Sequence, residues 1–250
     1  MLLVLQRKND GRSAQGAFTL VELTVVVAIT VVLASLLLPA LSGAREKSAR
    51  AVCKNNMGQM LLAVSMYADA NSDKLPSSAD NLGFYHSIRL SDSTFTNFVS
   101  EYLNNVSGVL YCPNLDYDGF TNHDKFGYII GYSYLATAMI TTEKGPDYWV
   151  GVTKLNGKGT NEIFADANYW SSQPIGDTGI SLQLAPHTST GGNANQFVSA
   201  AARTAAASPS KTLGAQGGNV GRADMSVTWK NIQNMGQYPA SSQDDATGNW

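Results

Sequence analysis

The chain has 250 residues, a formal net charge of −2 at pH 7 and no basic excess, which argues against a nucleic-acid-binding protein. This length allows one sizeable domain with an appendage, or two small domains. Charged residues make up only 14% of the chain, against about 25% in soluble globular domains. The deficit comes from one uncharged N-terminal stretch and from a body rich in Ser, Thr, Asn and Gly, which is typical of an exported β-rich domain.

A long apolar stretch lies near the N-terminus. Residues 23–41 carry no charged side chain, and extending the run back to Phe18 adds only Glu22. As a helix, a segment of this length can cross a hydrocarbon core of about 30 Å. Basic residues at positions 7, 8 and 12 favour an orientation with the N-terminus inside. A second basic cluster at 45–50 follows the span, so these charges alone do not fix the orientation.

Glu22 is an anomaly within this stretch. A carboxylate at membrane depth costs on the order of 2–3 kcal/mol or more, so such residues usually have a partner and a role. One interpretation places Glu22 at the interface, where water hydrates it. The other pairs it with a cation at membrane depth, and a free α-amine created by cleavage just upstream would supply one.

The run Gly16-Ala17-Phe18-Thr19-Leu20-Val21-Glu22 resembles the processing site of type IV prepilins and type II secretion pseudopilins. In that family a small residue precedes Phe-Thr-Leu-(Ile/Val)-Glu and a long apolar run. The resemblance implies that a prepilin peptidase cleaves between Ala17 and Phe18, which makes Glu22 the fifth mature residue, and methylates the new amine of Phe18. The alternative cleavage lies between Gly16 and Ala17, because Gly16 stands one position earlier than usual.

Beyond the span, the sequence predicts that the helix continues to about residue 70. Apolar residues recur there at three- and four-residue steps: Val52, Cys53, Met57, Met60, Leu61, Val64 and Tyr67. Pro39 lies where pilin helices commonly carry a proline, and it either loosens the helix for packing in a filament or marks the end of the span. The apolar stripe of the outer half needs a partner, for which a β-sheet is the natural choice.

Further motifs resemble one branch of the superfamily, the large pilin-like proteins of planctomycete- and verrucomicrobium-type bacteria. The first two are Leu38-Pro39-Ala40-Leu41 and Cys53-Lys54-Asn55-Asn56, and weaker echoes are Tyr111-Cys112-Pro113 and residues 218–229. Met225 replaces the usual glycine of the last element, so we expect its turn to use another conformation. The resemblance makes His187 the displaced counterpart of the histidine that normally precedes this element.

We therefore predict an α+β, pilin-like fold, in which an antiparallel β-sheet body packs on the outer half of a long transmembrane spine helix. Short strands are predicted at 108–113 and 162–166, and a strand or strand pair at 126–134. Residues 219–229 are predicted to form two strands joined around Asp224 and Met225. The predicted organisation is a cytoplasmic leader (1–17), a transmembrane half-helix (18–41), an exported amphipathic half-helix (42–74), and a β-rich exported body (75–250) with an insertion loop at 188–218.

Two further features of the sequence concern cross-links and metals. Cys53 and Cys112 are either bridged, as export permits, or separate buried thiols. A bridge would contribute roughly 4 kcal/mol to stability by closing a long loop.

A calcium-loop template fits the oxygen-bearing residues after the helix: Asp69, Asn71, Asp73 and Asp80. The alternative for these residues is a solvated helix C-terminus. No other cofactor is expected.

The sequence thus favours a structural subunit of a type IV pilus-like filament or type II secretion pseudopilus over an enzyme, since no catalytic constellation is recognisable. Expected partners are the prepilin peptidase, other pilin or pseudopilin subunits and an inner-membrane assembly platform. The expected location is the inner membrane, single-pass, with a cytoplasmic N-terminus and a periplasmic or extracellular body. Two alternatives remain: a membrane-anchored binding module, for example for carbohydrate, that does not polymerise, and a secreted enzyme behind an ordinary signal peptide.

Overall fold

The computed structural model describes residues 19–104, 106–115, 123–141, 148–156, 161–171, 180–189, 196–199, 209–242 and 246–250. The chain divides into two compact units, Met1–Leu41 and Ser42–Trp250. Its architecture is α+β, with a long N-terminal apolar helix and antiparallel sheets, as the sequence predicts at this level.

Helix α1 spans Leu20–Ala70 without interruption. It begins two residues after the predicted start at 18, and it ends near the predicted residue 70 but four residues before the end of the predicted half-helix 42–74. Thr19 and Glu22 form a capping box at its start: the Thr19 N–H donates to Glu22 Oε2 over 2.9 Å, and the Glu22 N–H donates to Thr19 Oγ1 over 3.2 Å. Pro39 lies inside α1 and does not end it. The helix ends where Ser72 and Asp73 adopt left-handed conformations, with φ of 57° and 66°.

The first half of α1 is apolar and exposed. Each large hydrophobic side chain described between Leu20 and Leu41 is at least half exposed. By length and composition the helix could cross a membrane, and a signal sequence near an N-terminus would pass the same test.

The body consists of short strands and helices. Helices α2 and α3 span Asp92–Asn97 and Pro209–Thr212. The strands, in chain order, are β1 Arg89–Leu90, β2 His123–Asp124, β3 Gly127–Ile129, β4 Tyr132–Tyr134, β5 Met139–Thr141, β6 Tyr148–Val150, β7 Glu162–Asp166, β8 Tyr169–Ser171, β9 Ile180–Leu184, β10 Gln196–Ser199, β11 Gly217–Arg222, β12 Val227–Asn231, β13 Gln237–Pro239 and β14 Ala246–Asn249.

Within the described residues, the strands pair antiparallel in the orders β1-β3-β2, β10-β9-β8-β14-β13, β12-β11-β7-β4 and β5-β6. The sheet that contains β11 packs on the outer half of α1. A Cβ placed on Gly221 of β11 would lie 3.0 Å from side-chain atoms of both Met57 and Leu61. Cys53, Met57 and Leu61 are fully buried there, which explains the apolar periodicity of this half-helix.

The structure confirms some of the predicted strands and contradicts others. Residues 162–166 form β7, and β11 and β12 flank a turn at Asp224 and Met225, as predicted. Met225 has a φ of 66°, the left-handed conformation that glycine adopts most easily. The expectation that losing glycine would force another conformation is therefore wrong.

The strand predicted at 108–113 is also wrong, because Ser107–Leu110 is a 3-10 helix. The Tyr111 N–H donates back to the Gly108 carbonyl over 3.3 Å, so this apolar run closes a tight turn rather than joining a ladder. The run predicted at 126–134 contains β3 and β4, which belong to different sheets.

The predicted insertion loop contains regular structure. Strand β10 pairs with β9, and α3 follows it. Residues 190–195 and 200–208 of this loop lie outside the described residues.

Candidate functional site

The predicted processing site falls on residues that the structure does not describe: Gly16, Ala17 and Phe18. Glu22 is described, and its side chain is exposed. Its Oε2 accepts hydrogen bonds from the Thr19 backbone N–H and from Thr19 Oγ1, the latter over 2.6 Å. Within the described part of the chain, Oε1 of Glu22 accepts no hydrogen bond, so this oxygen is available to an outside cation.

The two cysteines lie side by side in the body. Cys53 is on the outer half of α1, Cys112 follows the 3-10 turn, and both are free and buried. Their Sγ atoms are 2.8 Å apart. The fold therefore brings together the two residues of the predicted disulfide, and the bridge itself stays a prediction.

His187 completes a buried group with these cysteines, which we call the Cys53–Cys112–His187 group. Its Nε2 lies 3.9 Å from Cys112 Sγ and 3.3 Å from Asp166 Oδ2. On the other side of the ring, Nδ1 lies 3.0 Å from Glu46 Oε1. Because His187 and Asp166 are both 0% exposed, these contacts are shielded from bulk solvent.

Both carboxylates beside His187 are held by further donors. Asp166 Oδ2 accepts from the Asn219 backbone N–H over 2.6 Å and from Asn219 Nδ2 over 2.9 Å. Glu46 accepts from Arg50 Nε and from Asn114 Nδ2, each over 2.7 Å. Oδ1 of Asp166 is buried and has no hydrogen-bond partner in the described structure, which is a costly state for a carboxylate oxygen.

The electrostatics of the group follow from this packing. Burial works to lower the pKa of His187, but the hydrogen bond to Asp166 and the contact with Cys53 outweigh it and raise this pKa to about 10. The hydrogen bond with Cys112 lowers the pKa of Cys53, whereas burial and Cys53 raise the pKa of Cys112. The raised pKa favours the imidazolium form of His187, so this ring is itself the cation between the sulfurs and the carboxylates.

On the outer side of the group, Arg50 stacks on Trp229 with its guanidinium 4.1 Å from the ring centroid. Trp229 in turn meets the His187 ring edge-on, at 5.6 Å between centroids. A cavity of about 370 Å³ opens beside Arg50 and is also lined by Gln216, Asn231 and Gln233.

The structure does not gather the carboxylates of the predicted calcium loop. Asp80 Oδ1 accepts from the backbone N–H groups of Leu82 and Phe84, over 2.8 and 3.0 Å, so it closes its own loop. Asp73 accepts from the Asn156 N–H over 3.4 Å, and Asn71 donates to the Tyr67 carbonyl. Asp69 is exposed at the end of α1. Within the described residues, the acidic, Cys and His side chains close enough to share a metal ion are those of the Cys53–Cys112–His187 group.

Sequence reasoning missed this group as a site. Glu46, Cys53 and Cys112 are separated from His187 by 141, 134 and 75 positions (187 − 46, 187 − 53 and 187 − 112), so no local spacing signals their meeting. The one available signal was the resemblance, which singled out His187.

No protein-family model matches the chain, and comparisons with curated proteins and with solved structures give no match either.

Proposed function

We propose that the chain is a prepilin-processed structural subunit of a type IV pilus-like filament or type II secretion pseudopilus, and that it assembles through its N-terminal helix. The observation that carries this proposal is the contrast between the two halves of α1. The half that ends near Leu41 exposes its apolar side chains, whereas the half after Ser42 buries Cys53, Met57 and Leu61 in the body.

The exposed half needs an apolar environment. Side chains such as Leu36, at 69% exposed, and Leu41, at 65%, would each cost on the order of 1.5–3 kcal/mol if left in water. A lipid bilayer removes this cost before assembly, and a bundle of the same helices from neighbouring subunits removes it afterwards. A single helix segment then serves as both membrane anchor and filament core.

Glu22 supplies the polar element of the proposed assembly. One of its oxygens is engaged by Thr19, and the other is available to a cation. Cleavage after Ala17 would create an α-amine on Phe18. In our proposal this amine pairs with Glu22 of a neighbouring subunit, neutralises both charges in the apolar core and sets the helix register.

The remaining steps follow the resemblance. A prepilin peptidase removes residues 1–17 on the cytoplasmic side and methylates Phe18, and an inner-membrane platform extracts the subunits. The β-rich body then faces outward in the periplasm or outside the cell.

The deciding experiment is mass spectrometry of the N-terminal peptide of the mature protein, isolated from membranes of its native host. A methylated Phe18 supports the proposal, and a methylated Ala17 supports it with the alternative cleavage. An intact Met1 contradicts it and favours the non-polymerising binding module. A start near Arg45 contradicts it too, because an ordinary signal peptidase would have cut after the small residues at 42–44.

A further inference from the structure

We propose that in the dithiol form of the protein the Cys53–Cys112–His187 group binds a zinc ion, and that Asp166, which contacts His187, moves toward the sulfurs to become the fourth ligand. This site is independent of the proposed assembly function, because all four residues lie in the unit Ser42–Trp250.

The distances on the imidazole side match a tetrahedral zinc site. Zinc bonds of about 2.0–2.1 Å to nitrogen, 2.0–2.2 Å to oxygen and 2.3 Å to sulfur place neighbouring N and O ligands about 3.3 Å apart, and neighbouring S and N ligands about 3.6 Å apart. The observed separations are 3.3 Å between His187 Nε2 and Asp166 Oδ2, and 3.9 Å between His187 Nε2 and Cys112 Sγ. Two of the ligand pairs are thus already spaced for one ion.

The sulfur pair must adjust as well. The Sγ atoms of Cys53 and Cys112 are 2.8 Å apart, whereas two thiolates on one zinc ion lie about 3.8 Å apart. Zinc binding releases three protons to the solvent, one from each thiol and one from Nε2 of His187, and it thereby removes the S–H···S contact that holds the sulfurs together. The two thiolates then separate by about 1 Å, which side-chain rotation of a cysteine provides.

Each non-sulfur ligand has an orienting partner, as zinc ligands usually do. Nδ1 of His187 faces Glu46 over 3.0 Å, which holds a proton on Nδ1 and leaves Nε2 as the nitrogen that can bind zinc after losing its own proton. Asp166 is fixed by both donors of Asn219. Oδ1 of Asp166 is buried without a hydrogen-bond partner, so a zinc ion beside this carboxylate would offset the desolvation of an oxygen that no described hydrogen bond compensates.

The ligand set also decides which ion fits. Two thiolates and an imidazole are ligands for zinc rather than for calcium or magnesium, which take oxygen. Cys53, Cys112, His187 and Asp166 are each at most 1% exposed, so a bound ion would have no open position for water or substrate. We therefore assign a structural rather than a catalytic zinc site.

The proposed site and the predicted disulfide exclude each other. A thiol–disulfide oxidant takes two electrons and two protons from Cys53 and Cys112, joins their sulfurs and so removes two ligands. Zinc binding is consequently confined to the reduced chain. The reduced and oxidised forms of the same unmutated chain can therefore be compared directly.

The test uses the full untagged chain in detergent micelles, reduced with a phosphine, with its two free thiols counted and its fold checked by circular dichroism. Cobalt(II) is titrated as the probe, followed by zinc(II). We expect one equivalent of cobalt with thiolate-to-cobalt charge-transfer absorption, displaced by one equivalent of zinc. After oxidation to the disulfide, the same chain should lose this absorption.

Variants assign the ligands. Cys112→Ser should abolish the charge-transfer absorption or reduce it to that of one thiolate, and His187→Gln should weaken zinc binding by at least about tenfold. His123→Gln is the matched control, because this half-exposed histidine contacts Asp92 and lies outside the group. The His123→Gln variant should bind zinc like the parent chain.

A folded, fully reduced parent chain without cobalt–thiolate absorption overturns the proposal. Absorption that persists unchanged after oxidation or after Cys112→Ser overturns it as well. A loss in His123→Gln equal to that in His187→Gln also overturns it.

Discussion

Nδ1 of His187 lies 3.0 Å from Oε1 of Glu46, and this contact joins the segment after β9 to the outer half of α1. The same ring reaches Asp166 of β7 through Nε2 at 3.3 Å. One buried imidazole therefore connects the helix to the sheet that packs on it. A buried group of this kind is costly to leave half complete, because the remaining charge keeps its desolvation penalty.

We predict that His187→Gln lowers the free energy of unfolding of the body by about 3–5 kcal/mol, since it leaves Glu46 and Asp166 without their shared cation. Denaturant unfolding of the full chain in micelles, followed by tryptophan fluorescence with a metal chelator present, measures this loss. Glu46→Gln in the His187→Gln background should cost less than Glu46→Gln alone, by about 1 kcal/mol or more. Additive losses from the two substitutions would show that the contact contributes nothing.

The cysteine pair gives a second prediction. Mild oxidation of the folded chain should form the Cys53–Cys112 disulfide, because their sulfurs already lie 2.8 Å apart. The product should weigh less by two hydrogen atoms and be more stable by roughly 4 kcal/mol, as expected from closing a loop between positions 59 apart. Cys53→Ser is the control: it cannot form the bridge, so oxidant should change neither the mass of the monomeric chain nor its free energy of unfolding. A parent chain that keeps both thiols under oxidant contradicts the prediction.

Adjacent leucines on α1 allow a matched test of the packing. Leu61 is 0% exposed beneath Gly221, whereas Leu62 is 61% exposed. Leu61→Ala should therefore destabilise the body by about 2–5 kcal/mol through the cavity it leaves. Leu62→Ala should stay within about 0.5 kcal/mol of the parent chain. Denaturant unfolding of both variants decides, and equal losses would mean that the described face of α1 is not the one packed on the sheet.

The long helix was predictable because its signals are local. An uncharged run, apolar residues at helical spacing and a Thr19–Glu22 capping box all lie within the helix or next to it. Strand β7 was predictable for a similar reason, since a short apolar run between turns fits a buried strand. The apolar run that ends at Leu110 carries the same signal and yet folds as a 3-10 turn. There the Leu110 carbonyl accepts from Gly131 over 2.7 Å, which is a tertiary contact that no local pattern contains.

The buried site was not predictable for the same physical reason. Glu46, Cys53, Asp166 and His187 come from α1, from β7 and from the segment after β9, and only the packing of these elements places them within contact distance. Each residue alone looks ordinary in the sequence. The cysteines could be paired because just two exist, whereas nothing in the sequence indicates which acidic residues meet His187.

The turn between β11 and β12 gives a fourth prediction. Met225 has a φ of 66°, a left-handed conformation that is strained for a residue with a Cβ. Its side chain is 39% exposed, so its packing contributes little that could offset this strain. Met225→Gly should raise the stability of the body by up to about 1 kcal/mol, and Met225→Ala, which keeps the Cβ, should not. Thermal unfolding of the two variants measures the difference. A Met225→Gly chain less stable than Met225→Ala would show that the turn is not strained.

The last prediction separates two roles of Glu22. Its carboxylate caps α1 through Thr19, and in the proposed assembly it also neutralises the amine of Phe18 in a neighbouring subunit. Glu22→Gln keeps an oxygen that can accept the capping hydrogen bonds but removes the charge, whereas Glu22→Ala removes both. An unpaired amine at membrane depth costs about 3 kcal/mol, so both variants should insert and be cleaved yet yield about 100-fold fewer sheared filaments in the native host.

Thr19→Val is the matched control, because it removes the hydroxyl of the cap and leaves the charge of Glu22 in place. It should assemble nearly as well as the parent chain, since a lost cap costs only about 1 kcal/mol. If Glu22→Gln assembles normally while Glu22→Ala and Thr19→Val fail, Glu22 acts as a helix cap and the charge-pairing mechanism is wrong. If all three variants give normal filament yields, neither the cap nor the charge of Glu22 matters for assembly, and the register of the filament must be set by the apolar face of α1 alone.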